Sequence, residues 1–518
     1  MPSKFYLTTP LYYVNSKPHI GHSYTNIAAD ALARFERMAG KEVLFLTGTD
    51  EHGQKVEKAA REAGMSPQEF TDKISLTFRD LRKTLNITYD DYLRTTEARH
   101  VKAVQEVWRQ LEKSGQIYRD AYAGWYCTPD ETFWTEGQIL RENNTVLCPD
   151  CRRPVEKIEE ENYFLKLSPH QSWLVETIQK NELIRILPET RRNEVLGFLE
   201  NNELQDLCIS RPKSRLSWGI PVPISDQHVT YVWFDALINY ISACGYGQDP
   251  QSFKKWWPAD VHLIGKDILR HHTVYWTILL KALGLPLPKM IFAHGWWVQS
   301  GEKMSKSRGN VTDPTEMASR YGVDAYRYFL LRETAFGQDG IFSEEALILR
   351  YNTDLANNLG NLLSRTLTMG EKYFEGSVPP GVSLKSKSHL REGVDALAPA
   401  LTRLMEKLAF SEALAEIWTL VDQANRYIEE KAPWKLAKEN KKDELAAVLV
   451  ELHEVLKAVS QAIWPFMPAT GEMIWTQLGL SGRPGDLPFK EKMWGVFDKG
   501  GKIAKGASLF PRIEVKTG

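Results

Sequence analysis

The 518-residue chain lacks several things, and each shortage removes a class of protein. No apolar run approaches the roughly 18 residues that span a membrane, so no membrane partner is expected. The N-terminal residues do not show the basic-then-apolar pattern of a secretion signal. There is no excess charge of one sign: the formal net charge is −1, so a nucleic-acid surface would have to be a local patch. Cysteine is scarce, with five in all. Cys127, Cys148 and Cys151 cluster, while Cys208 and Cys244 stand alone. That distribution argues against a disulfide scaffold and for a reducing compartment with a metal site, so a cytoplasmic location is expected. Internal repeats and low-complexity tracts are absent too.

What remains is the composition of an ordinary globular protein, 43% apolar and 25% charged, long enough for two to four domains. Residues 1–115 alternate strand and helix signals, which predicts an α/β fold with a doubly wound parallel sheet. The strand-like run Phe5-Tyr6-Leu7-Thr8 leads through a turn-rich link to His19-Ile20-Gly21-His22, and a helix is expected from about Tyr24 to Met38. Small and basic residues where a strand turns into a helix suit phosphate binding. Gly21 leaves room for a flat base, and His19 and His22 can donate to phosphate oxygens. A structural pair, or half of a metal site, is the competing reading of His-x-x-His. The apolar strand Glu42-Val43-Leu44-Phe45-Leu46 runs into Thr47-Gly48-Thr49-Asp50-Glu51-His52-Gly53. Asp50 there suits a substrate ammonium group, or equally the N-cap of a helix starting near Gln54.

Residues 116–225 break this rhythm and read as an insertion. Cys148-Pro149-Asp150-Cys151 is a knuckle, and Cys127 with Asp130 forms its other half. Three thiolates and a carboxylate can hold zinc; an eroded site that folds without metal is the alternative. The α/β pattern resumes over 226–342. Trp233, Ala236, Leu237 and Tyr240 fall at helical spacing and can form one wall, or simply pack a core. Val261-His262-Leu263-Ile264 ends at Gly265-Lys266-Asp267, and a helical run with His271, His272, Tyr275 and Trp276 follows. Beyond the strand Met290–Gly295 lies Ser300-Gly301-Glu302-Lys303-Met304-Ser305-Lys306-Ser307-Arg308-Gly309-Asn310. Hinge glycines bracket lysines that can neutralise charge on a departing pyrophosphate; a solvated charged loop is the plainer reading. Residues 343–518 are dominated by amphipathic helices to about 480. Gly376 to Ser388 reads as a loop.

The ordered pair His19-Ile20-Gly21-His22 and Lys303-Met304-Ser305-Lys306-Ser307 resembles the two signatures of class I aminoacyl-tRNA synthetases, and the surrounding residues resemble the methionyl-tRNA synthetase family. The resemblance runs through the whole chain. It implies a Rossmann-like catalytic domain (1–115 and 226–342), an inserted connective domain with a zinc knuckle (116–225) and a helical anticodon-binding domain (343–518). It implies ATP-driven activation of methionine and transfer to tRNA(Met), with magnesium accompanying the ATP. His19, Gly21, His22, Lys303 and Lys306 match ATP-handling positions. Leu11, Tyr13, Asp50, Trp233, Ala236, Leu237, Tyr240, His272, Tyr275 and Trp276 match methionine-site positions. Asn357, Asn361 and Arg365, spaced by four, match anticodon-reading positions, and Trp434 can stack on an anticodon base or belong to the core. Two positions depart from the family pattern: Leu237 stands where some relatives carry Pro, and Asp130 replaces a knuckle Cys. No further β-barrel-like tail follows the helices, so a monomer is expected.

Overall fold

The structure, a computed structural model, describes residues 3–128, 132–134, 136–142, 145–299, 302–303, 312–380, 382, 388–489, 494–497 and 500–514. At its centre is a seven-stranded sheet in which every pairing is parallel. The strands lie in the order Arg185–Leu187, Met290–His294, Val261–Gly265, Lys4–Thr8 and Glu42–Asp50, and Glu42–Asp50 also pairs with Tyr12–Tyr13 and Asp91–Arg94. The chain builds one side of Lys4–Thr8 first and later returns to build the other. The crevice beyond the end of Lys4–Thr8 is therefore the switch point at which such sheets bind ligands.

Sequence explains why these strands are interior. Phe45, Leu46, Leu263, Ile264, Ile291 and Ala293 come from short continuous apolar runs and are all buried. Ala28, Ala29, Ala31 and Ala33 give the Ile20–Met38 helix small faces, and it packs closely on the sheet. The strand expected over 42–46 extends to Asp50, because Leu46 to Thr49 pair with the Asp91–Arg94 strand. At Gly48 any side chain is excluded, since a Cβ would sit 1.8 Å from the Leu93 carbonyl oxygen.

The 116–225 stretch is only partly separate from this sheet. Ile117–Cys127 and Glu156–Leu165 form a long antiparallel ladder flanked by Leu207–Cys208 and Thr132–Trp134. Arg185–Leu187, however, joins the edge of the parallel sheet beside Met290–His294. Its three residues were too short a signal to be read as a strand. Helices His389–Met405, Phe410–Lys431, Lys442–Ile463 and Pro468–Gln477 form a bundle. The segment read as a loop from 376 contributes a two-residue strand, Ser377–Val378, paired with Gly501–Lys502.

A buried ionic junction joins the two halves. Arg327 is fully buried and bonds Asp30 of the Ile20–Met38 helix at 2.7 Å. Its other donors reach the carbonyls of Leu85, Pro465 and Phe466. Burial alone would raise the Asp30 carboxyl, but Arg327 and Arg34 outweigh it and hold it below the ordinary range.

Candidate active site

The Ile20–Met38 helix begins four residues earlier than the sequence suggests, and the histidines are the reason. Its N-cap is His19, whose Nδ1 accepts the Gly21 N–H at 3.1 Å. His22 Nδ1 accepts the His19 N–H at 3.1 Å, so the two rings form a reciprocal capping box. A neutral imidazole has one acceptor nitrogen, so both rings carry their proton on Nε2. The rings lie 3.8 Å apart, and His22 packs against Tyr12 and Phe78. Glycine leaves the His19 ring its place: a Cβ at position 21 would meet His19 Cε1 at 2.9 Å and push the ring aside.

The same turn anchors the far end of the lysine-rich segment, since the Ile20 N–H donates to the Thr312 carbonyl at 3.3 Å. The near end is held by the pairing of Val298 with Lys303. Only the backbone of Lys303 is described, and Lys306 lies outside the described residues.

Asp50 is buried at the carboxyl end of its strand, opposite Tyr13 in the parallel register. It is not a helix cap: the Gln54–Glu62 helix has Gly53 at its N-cap, with no side-chain cap bond. Leu11 and Tyr13 are half-buried nearby. The Trp233–Tyr240 segment is two short helices, Val232–Leu237 and Asn239–Ser242. Trp233 stacks on His271 at 3.8 Å, and Tyr275 meets His271 edge-on. Tyr240 donates from its hydroxyl to His272 Nε2 at 2.7 Å, while His272 Nδ1 donates to the Ile268 carbonyl. Ala236, Leu237 and Trp276 are buried beside them. His271 to Trp276 form a π-helical turn, a widening frequent at functional sites.

Sequence reasoning missed three positions. His262 stacks on Tyr240 at 4.2 Å, accepts from the Trp276 indole at Nε2 and bonds Thr8 Oγ1 through Nδ1 at 2.7 Å. Burial holds its pKa well below the ordinary histidine value, so it is neutral. His294, on the last residue of its strand, reaches Thr25 of the histidine-capped helix at 2.7 Å. Asp235 is held between His52 and His100. His52 and Asp235 lie inside stretches that the sequence singled out, but only folding shows that they meet.

In the insertion, the Sγ atoms of Cys127, Cys148 and Cys151 lie within 4.8 Å of one another, and Cys127 and Cys148 are buried. This donor set fits a soft tetrahedral cation. Asp130 lies outside the described residues. In the helical half, Asn357 and Asn361 are exposed, and half-buried Arg365 pairs with Glu429 at 2.6 Å. The backbone from Tyr351 to Gly360 is π-helical, so the four-residue spacing does not give an ordinary α-helical face throughout. Trp434 is 37% exposed, which removes the core reading.

The family model described as tRNA synthetases class I (M) matches residues 5–367, and the one described as anticodon-binding domain of tRNA ligase matches residues 390–495. The parallel sheet and its histidine-capped helix thus have the architecture of the class I tRNA synthetases. A methionine–tRNA ligase of Caldanaerobacter subterraneus subsp. tengcongensis is 51% identical over all of this chain and 80% of its own length, and that of Thermotoga maritima is 46% identical over 99% and 81%. A structure of Mycobacterium tuberculosis methionyl-tRNA synthetase in complex with methionyl-adenylate superposes with a TM-score of 0.93 at 41% identity, covering 98% of this chain and all of that one. The chain belongs to the methionine–tRNA ligase family.

Proposed function

We propose that this chain joins methionine to tRNA(Met) in two steps: formation of methionyl-adenylate from methionine and ATP with release of pyrophosphate, then transfer of the methionyl group to the 3′ end of the tRNA. The observation that carries this reading is the reciprocal cap of His19 and His22 at the switch point of the sheet. With Nδ1 of each ring engaged in the cap, Nε2–H is the group that would donate to an α-phosphate. The methionine carboxylate is already ionised and attacks the α-phosphorus without a general base. Catalysis then rests on orientation and charge stabilisation. Lys303 and Lys306 neutralise the leaving pyrophosphate, and magnesium, when bound, screens the phosphates.

Asp50 holds the methionine ammonium group. Leu11, Tyr13, Trp233, Ala236, Leu237, Tyr240, His272, Tyr275 and Trp276 enclose the thioether, which packs well against aromatic edges. The Tyr240–His272 bond and the Trp233–His271 stack support this assignment by making the wall rigid before methionine arrives. Residues 1–115 and 226–342 act as the catalytic domain, 116–225 as the connective domain and 343–518 as the anticodon-binding domain. Asn357, Asn361, Arg365 and Trp434 read the anticodon. The protein works as a monomer in the cytoplasm.

Methionine-dependent exchange of pyrophosphate into ATP tests the activation step. Methionine should support exchange, and isoleucine, valine and cysteine should not. Exchange with isoleucine in place of methionine would refute the assignment. We further propose one zinc per chain on Cys127, Cys148 and Cys151, with Asp130 or water as the fourth ligand. It would cross-link the knuckle rather than join the chemistry. Elemental analysis of protein purified without chelator should find about one equivalent; well under half an equivalent would discount the site.

A further inference from the structure

Asp235 is fully buried on the Val232–Leu237 helix, and neither of its carboxylate oxygens is idle. Oδ2 accepts from His52 Nδ1 at 2.7 Å and Oδ1 accepts from His100 Nε2 at 2.6 Å. His100, on the Ala98–Lys113 helix, is itself buried, and its Nδ1 is 2.8 Å from Ser242 Oγ. Burial alone would raise the Asp235 carboxyl, yet His52 and His100 hold it below the ordinary range. Three segments distant in sequence thus meet on one carboxylate. Where packing alone is at stake, an apolar trio of similar volume serves as well or better, so the cluster calls for a geometric purpose.

We infer that Asp235 is a positioning residue of the methionine pocket, fixing the Trp233 wall relative to the Asp50 turn through His52 and His100. This rests on the assignment of Asp50 and Trp233 to methionine. Asp235 lies two residues beyond Trp233, and His52 two beyond Asp50. The bridge between them is short: two residues of backbone, an imidazole, a carboxylate and two more residues of backbone. The turn is braced elsewhere as well. Trp218 donates to the Glu51 carbonyl and accepts from the Gly53 N–H, and Glu51 is held by Arg94 and Thr96. None of those contacts reaches the Trp233 helix. Among the described residues, the link from the turn to that helix through a side-chain hydrogen bond is the one made by His52.

The test is pyrophosphate exchange with methionine and ATP varied separately. His52→Ala should raise the KM for methionine about tenfold or more and leave that for ATP within about twofold, because the residues assigned to ATP, His19, Gly21 and His22, open the Ile20–Met38 helix and belong to neither segment that His52 joins. His52→Asn places an amide N–H close to where Nδ1 donates, and should return the methionine KM to within about threefold of the parent value. His100→Gln, which imitates Nε2, should likewise exceed His100→Ala. A KM does not depend on how much of a preparation is folded, so a lowered melting temperature cannot imitate this pattern. An unchanged methionine KM in His52→Ala, or equal defects in His52→Ala and His52→Asn, overturns the inference. Trp233→Ala separates the two levels. If it too leaves the methionine KM unchanged, the pocket assignment itself falls; if it raises that KM while His52→Ala does not, only the positioning role does.

Discussion

A methyl group at position 21 would lie 2.9 Å from Cε1 and 3.1 Å from Nδ1 of His19. The ring can yield, but only by giving up its bond to the Gly21 N–H and its stack on His22. Losing a cap costs about 1 kcal/mol, little for a chain of this size. Losing the orientation of a group that meets the transition state costs more, and misplacement by about 1 Å can reduce a rate about 100-fold. Gly21→Ala should therefore slow adenylate formation by about that factor while the melting temperature barely moves. Single-turnover kinetics and a melting curve on the same preparation check it, and an unchanged rate would show that the cap geometry is not used. The sequence offered the histidines as phosphate donors, or as a structural pair; that they cap their own helix it did not show. Capping depends on ring orientation, which the residue spacing does not specify.

At the scale of elements, the helix ends carry the information. The Phe410–Lys431 helix stops at Ala432, which adopts a left-handed conformation with φ of 42°, and Pro433 opens the next short helix. This corner sets Trp434 on the surface rather than in the bundle. An exposed indole at such a corner is available to stack on an unpaired base. Trp434→Ala should lose about 1–3 kcal/mol of tRNA recognition, the value of one stacked base. Charging should fall while pyrophosphate exchange and melting hold. Equal losses in both reactions would show that Trp434 acts through the fold and not through the tRNA. The sequence left stacking and core packing open because an aromatic next to a proline suits either. Likewise, the Arg185–Leu187 strand carries too few residues to show a period, and only its neighbour Met290–His294 identifies it.

At the scale of the whole molecule, buried histidines make stability depend on pH. Burial pushes His272 and His453 down to about 4, each partly offset by a bond to a backbone carbonyl, of Ile268 and Leu449 respectively. A histidine kept neutral by burial takes up its proton on unfolding, so between 6.5 and 4 the unfolded chain binds more protons. The stability these groups contribute is complete above the unfolded value and is lost as pH falls through that window. At pH 5 each costs about 2 kcal/mol, about 4 kcal/mol for the pair. Asp30 and Asp235, held below the ordinary carboxylate range, lose their contributions only at lower pH and do not mask the effect. Melting temperature should fall steadily from pH 7 to pH 5, and His453→Asn should flatten the fall. A flat profile in the parent protein would mean that these rings titrate alike in the folded and unfolded chain, so that burial does not hold them neutral.

The sequence by itself determined the parallel sheet, the helical second half and the cysteine knuckle. Each is written in residues close together along the chain: an apolar run ending in a polar turn, an amphipathic period, a Cys-x-x-Cys. The tertiary structure decided between readings that the sequence left open at particular residues. Asp50 is not a cap because Gly53 is, and Trp434 is outside because Ala432 turns the chain. Asp235 became a hub because His52 and His100 arrive from 183 and 135 residues away. Such meetings depend on how helices dock over a sheet, a property of the assembled core that no local pattern carries. The Asp30–Arg327 bond, across 297 residues, is set in the same way.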